Sequence, residues 1–107
     1  MKIGIAGIGA IGLNVALSLD RQEIPGFQLA GFSARSKDRA AQFNDMLSLP
    51  IKHYGFAELA QNCDIIIECL PPQLFKKIAI PVLKAGKILI ALSASQLLKY
   101  DDLIDLA

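Results

Sequence analysis

The feature that most constrains this chain is the join between the apolar run "KIGIA" (Lys2 to Ala6) and the glycine-spaced run "GIGAIG" (Gly7 to Gly12). A short apolar run closed by glycine reads as a buried strand, and Ile11 to about Arg21 carries Ile11, Val15 and Leu19 at helical spacing. The pattern G-x-G-x-x-G is weak when isolated, but here it links a strand to a helix, the context in which it has a physical meaning. Gly7 allows the tight turn, Gly9 lets the backbone approach a pyrophosphate, and Gly12 lets helix and strand pack closely. Ala10 and Ile11 open the helix, whose free N–H groups and partial positive charge suit phosphate. The alternative is that these glycines serve only a tight strand-to-helix turn.

The remaining chain continues the alternation. Pro25-Gly26 marks a loop, Phe27 to Phe32 a second strand, and Ser36 an N-cap with Asp38 in the first turn of a helix over Ala40, Phe43 and Leu47. Ile51 to Tyr54 is expected as a short third strand and Phe56 to Ala60 as a short helix. "DIIIECL" (Asp64 to Leu70) is the strongest strand signal, closed by Pro71-Pro72. Gln73 to Ala85 is expected as a helix that Pro81 kinks or shortens and Gly86 ends. "KILIALS" (Lys87 to Ser93) is a fifth strand, and Leu97 to Leu106 begins another helical pattern. Strands that are continuously apolar and alternate with helices predict an α/β domain, a Rossmann-type doubly wound parallel sheet of about five strands. Residues 1–107 are read as one such domain, with neither the sixth strand of a full sheet nor a second, substrate-binding domain.

Composition narrows the function classes. Hydrophobic residues make up 53% of the chain and charged residues 20%, which fits strands covered on both faces rather than disorder. A net charge of +1 with interspersed signs offers no basic stripe, so a nucleic-acid partner is not expected. Gly4, Gly7, Gly9 and Gly12 interrupt the apolar N-terminus, so neither a secretory leader nor a membrane span is expected there. Cys63 and Cys69 lie across one strand, roughly 20 Å apart at about 3.3 Å per residue, too far for a disulfide. Free thiols suggest the cytoplasm.

The stretch "FSARSKD" (Phe32 to Asp38) lacks the Asp or Glu expected about 20 residues beyond the glycines to hold the ribose of NAD. Ala34 at that place removes the repulsion a carboxylate would exert on a 2′-phosphate. Arg35 can pair with such a phosphate or stack on adenine, while Ser33, Ser36 and the next helix N-terminus can donate hydrogen bonds. This favours NADP, with NAD tolerated; the alternative is that Arg35 is a solvated loop charge. At the ends of the fourth and fifth strands, Cys69, Leu70, Pro71 and Ser93 are expected near the nicotinamide ribose. Cys69 has no basic partner beside it and reads as wall rather than nucleophile. Glu68, inside an apolar strand, needs a hydrogen-bond partner. His53 lies away from the nicotinamide end, and no residue of this chain is assigned a catalytic or metal-ligating role.

Taken together, "IGIAGIGAIG", "LAGFSARSKDRA", "CDIIIECLPPQ" and "VLKAGKILIALSASQL" resemble the N-terminal half of the L-aspartate dehydrogenase family, which is related to homoserine dehydrogenase-like two-domain oxidoreductases. The resemblance implies oxidative deamination of aspartate to oxaloacetate and ammonia through an imino acid, with hydride passing to NAD(P). It also implies a second domain that supplies the catalytic histidine, the substrate pocket and much of a dimer interface, so this chain is expected to bind cofactor without turnover. The chain departs from the family at Ser95, where glycine is usual, and at Ala34, where many members have Asp. Two other readings stay open: a nucleotide-sensing module without catalysis, and the cofactor domain of a dehydrogenase for homoserine or a sugar. A homo-oligomer is expected, because a sheet that stops at its fifth strand leaves an apolar edge.

Overall fold

The structure, a computed structural model, describes residues 1–21 and 24–92. Its strands are β1 (Lys2–Ala6), β2 (Gln28–Ser33), β3 (Lys52–His53), β4 (Ile65–Glu68) and β5 (Ile88–Ala91). The helices are α1 (Ala10–Asp20), α2 (Lys37–Asp45), α3 (Phe56–Asn62) and α4 (Phe75–Lys84), the last preceded by a 3-10 turn at Pro72–Leu74. All strand pairs are parallel and lie in the order β3-β2-β1-β4-β5. The expected Rossmann-type doubly wound sheet is the one observed. The chain winds outward from β1 in one direction and then, through β4, in the other, so a crevice opens between the C-terminal ends of β1 and β4.

Two apolar layers hold the sheet. Ile3, Ile5, Ile65 and Ile67 pack with Ala16 and Leu19 of α1 and Ala40 and Phe43 of α2. Ala6 and Ile66 pack with Leu59 and Ala60 of α3 and Ile78 and Val82 of α4 on the other face. Each isoleucine buried this way stabilises the fold by roughly 1.5–3 kcal/mol, and the three consecutive isoleucines of β4 serve both layers because strand side chains alternate.

Several boundaries differ from the sequence reading for local reasons. In α1 the inward stripe is Gly12, Ala16 and Leu19, whereas Ile11 is 55% exposed. Only small residues let that helix approach the glycine turn. Ile51 does not join β3, because Asn44 accepts from its amide at 2.9 Å and donates to its carbonyl at 3.1 Å. β4 ends at Glu68 because the amide of Leu70 donates to the Glu68 carboxylate at 2.8 Å instead of to a neighbouring strand. α4 runs through Pro81 to Lys84 without the expected shortening, held by buried Ile78, Ala79 and Val82. The C-terminal helical pattern and Ser93 lie outside the described residues.

Candidate functional site

The strand register lines up the site. Ala6 of β1 pairs with Ser33 of β2 and with Glu68 of β4, and Glu68 pairs with Ala91 of β5. The next residues along, Gly7, Ala34 and Cys69, therefore emerge from the same end of the sheet. There they border a cavity of about 580 Å³.

Its floor is the glycine turn. Gly7 has φ +90°, and a Cβ there would meet Leu70 Cδ2 at 2.9 Å and the Cys69 carbonyl oxygen at 3.0 Å. Only glycine supplies that backbone at so close an approach. At Gly12 a Cβ would strike the Gly7 carbonyl oxygen, so that glycine serves the packing of α1 and does not line the cavity. Gly9 differs from both. Its φ of −68° is open to any residue, and a Cβ would meet nothing within 4 Å. Neither packing nor a left-handed backbone demands glycine there.

Gly9 is also the N-cap of α1, with no side-chain cap hydrogen bond and no acidic residue in the first turn. The amide of Leu13 is the first to bond back to Gly9. The earlier amides, from Ala10 and Ile11 onward, belong to the turn that an α-helix cannot satisfy internally. An uncapped helix start at the mouth of a cavity has the electrostatics of an anion site.

The second wall comes from β2 and the loop after it: Ser33, Ala34 and Arg35 line the cavity, and so does Arg39 from α2. Ser33 is buried, and its Oγ accepts a hydrogen bond from the Gly7 amide at 3.2 Å. Ser36 is not among the lining residues; its Oγ accepts from the Arg39 amide at 3.2 Å and caps α2. No motif of the sequence marks Arg39 as a site residue. Its spacing four residues beyond Arg35, one turn into a helix capped by Ser36, was the available signal.

The third wall is Cys69, Leu70 and Pro71, with Gln73 and Leu74 of the 3-10 turn and Phe56 of α3. Burial pushes the Cys69 thiol up to about 11, and the neighbouring Glu68 carboxylate adds to that. The thiol is therefore protonated at neutral pH, as a wall residue should be and a nucleophile should not. Glu68 is fully buried, and its bond to the Leu70 amide fixes the turn that carries this wall. Cys63 and Cys69 are both free thiols.

A second cavity of about 580 Å³ opens at the other end of the sheet, bordered by Asp20, Gly26 and Ser48. Among the described residues its carboxylate is occupied, since Asp20 accepts from the amide and hydroxyl of Ser48, and no uncapped helix start faces it. The chemistry favours the cavity at the C-terminal ends of the strands. No helix among the described residues is long and apolar enough to cross a membrane.

Comparison with known proteins places this geometry. The chain is 39% identical over 103 residues to an L-aspartate dehydrogenase of Bordetella bronchiseptica, covering 96% of this chain and 38% of that protein. It is 33% identical over its full length to the L-aspartate dehydrogenase of Bradyrhizobium diazoefficiens, again covering 38% of the relative. The chain thus spans well under half the length of these relatives. Among solved structures, a scyllo-inositol dehydrogenase from Lactobacillus casei superposes with a TM-score of 0.73 at 20% identity, over 85% of this chain and 27% of that one. Biliverdin reductase from Synechocystis, in complex with biliverdin and NADP+, gives 0.73 at 25% identity, over 84% of this chain and 28% of that one. The family model for the homoserine dehydrogenase NAD-binding domain matches residues 7–107, from the first glycine of the turn onward, and the chain belongs to that family.

Proposed function

We propose that this chain is the cofactor-binding domain of an NAD(P)-dependent L-aspartate dehydrogenase that prefers NADP. The observation that carries the binding assignment is Gly9, a glycine at an uncapped helix start that neither backbone nor packing demands. A pyrophosphate against the backbone of Gly7, Gly9, Ala10 and Ile11 accounts for it, because a Cβ would stand where the phosphate must come. Gly12 supports that contact from behind by bringing α1 close.

At the adenosine end, Ala34 offers no carboxylate, and Arg35 and Arg39 border the same cavity. Two guanidinium groups suit a 2′-phosphate, with Ser33 and Ser36 holding the loop between them. At the other end Cys69, Leu70 and Pro71 form an apolar wall for the nicotinamide ribose, and Ser93 is proposed to complete it. Bound NAD(P) would accept the hydride, while the chain's own residues orient it and exclude water. The substrate is proposed to be aspartate, in keeping with the relatives, and to be held by a second domain that also brings the catalytic groups; residues 1–107 alone are then a binding domain. We further propose a cytoplasmic homo-oligomer, supported by the free thiols and by Ile88 and Ile90 of β5, which are 52% and 43% exposed.

Calorimetric titration with NADPH and NADH, repeated on Arg35→Ala, tests the cofactor assignment. The variant should bind NADPH on the order of tenfold to a hundredfold more weakly, the worth of a hydrogen bond to a charged group, with NADH nearly unchanged. Equal losses for both would remove the 2′-phosphate assignment, and no binding of either would remove the binding assignment. Assays of a protein carrying both domains against aspartate, homoserine and simple polyols decide the substrate.

A further inference from the structure

His53 closes the short strand β3, on the far side of β2 from the glycine turn. It pairs in register with Phe32, which brings its ring alongside the loop that follows β2. The ring lies nearly parallel to that of Phe32, with centroids 5.3 Å apart and an interplanar angle of 17°. Phe32 is in turn fixed by Phe43 of α2 at 4.5 Å. The stack sets the ring plane and directs Nε2 at one residue. The Ala34 amide lies 3.2 Å from Nε2, and the Ala34 carbonyl oxygen lies 3.3 Å from it. One tautomer accepts from the amide and the other donates to the carbonyl; either one ties the imidazole to the backbone of Ala34.

We infer that His53 is a positioning residue for cofactor selection, holding the Ala34 peptide so that Arg35 is presented to the 2′-phosphate of the cofactor. The inference rests on the 2′-phosphate reading given above. The Ala34 methyl packs against the core but cannot hydrogen-bond, and the turn must be fixed for a guanidinium to meet a phosphate with good geometry. The neighbouring anchors are in place on both sides. Ser33 is fastened to the Gly7 amide, and Ser36 caps α2. His53 supplies the anchor between them, so Arg35 follows a backbone held on three points. It does so without touching the cofactor, since His53 is not among the residues lining the cavity.

The test separates the ring from its nitrogen. His53→Phe keeps a ring to stack on Phe32 and removes the bond to Ala34, whereas His53→Gln loses the ring and keeps an amide able to bond that backbone. NADPH and NADH affinities are measured by fluorescence titration for both variants, for Arg35→Ala and for the Arg35→Ala, His53→Phe double variant. The expected result is a loss of about fivefold in NADPH affinity for His53→Phe, the worth of one neutral hydrogen bond, with NADH within about twofold. Gln should recover most of the loss, and His53→Phe should add nothing further for NADPH once Arg35 is gone. The ratio of the two affinities is the readout, because a merely structural weakening lowers both together. If Arg35→Ala shifts the ratio and His53→Phe does not, the role of His53 is overturned and the phosphate reading stands. If Arg35→Ala leaves the ratio unchanged, the phosphate reading fails and this inference fails with it.

Discussion

Ser33 Oγ accepts a hydrogen bond from the Gly7 amide at 3.2 Å, fastening the end of β2 to the turn that follows β1. This bond joins the two halves of the cavity wall, since Gly7 belongs to the glycine turn and Ser33 leads into the loop of Ala34 and Arg35. Ser33→Ala leaves the half-buried Gly7 amide without that acceptor and should destabilise the domain by about 0.5–1.5 kcal/mol. Because the turn serves any dinucleotide and the same bond anchors the loop that carries Arg35, NADPH and NADH should both weaken, NADPH by the larger factor. Urea denaturation and paired titrations check this, and a selective loss of NADPH alone would contradict it.

Gly9 and Gly12 should respond to alanine in opposite ways. Gly12→Ala puts a Cβ against the Gly7 carbonyl oxygen, so α1 must shift away from the sheet. The melting temperature should fall, by an overpacking cost of about 1–3 kcal/mol. Gly9→Ala meets no neighbour and has an ordinary backbone, so the melting temperature should fall only by the poorer N-cap, about 0.5–1 kcal/mol. Cofactor affinity should nevertheless drop by about tenfold or more, since the methyl group keeps pyrophosphate from the helix start. A Gly9→Ala protein that binds as tightly as the wild type would end the pyrophosphate assignment.

The two ends of the pH range are expected to act through different groups. The Lys2 amide, which donates to Asp64 at 2.8 Å, holds the Asp64 carboxyl below its ordinary value. A carboxylate with a depressed value in the folded state contributes stability above its unfolded value, so that contribution is lost as pH falls through the carboxylate range. Cys69 works in the other direction. Its folded value of about 11 exceeds the ordinary thiol value of about 8.5, so stability is full below that value and declines as pH rises from there toward 11. Alkylation with iodoacetamide should therefore be slow for native Cys69 at pH 8 and fast for the unfolded chain. Rapid native labelling at pH 8 would mean that the half-buried thiol is not shifted as described.

The parts of the protein that could be read directly are those whose causes are local. The glycine turn, the Ser36 cap and the isoleucines of β4 each depend on neighbours within a few positions, so they appear in the structure where the sequence places them. The ends of elements are decided by side chains elsewhere. Asn44 takes Ile51 out of β3 from seven residues away, and no propensity of Ile51 foretells that.

What the amino-acid order determined by itself is the alternation of strand and helix and the glycine turn between the first two elements, because hydrophobic period and backbone freedom are properties of short segments. What only the tertiary structure decided is which distant residues border the cavity or meet behind its walls. Parallel pairing of β2 with β3 sets His53 against Ala34 across 19 positions, and the winding of α2 brings Arg39 to the wall already holding Arg35. Those meetings follow from strand order and register, which are fixed when both faces of the sheet are buried at once. A histidine remote from the glycine turn along the chain thus stands beside the loop of Ala34 and Arg35.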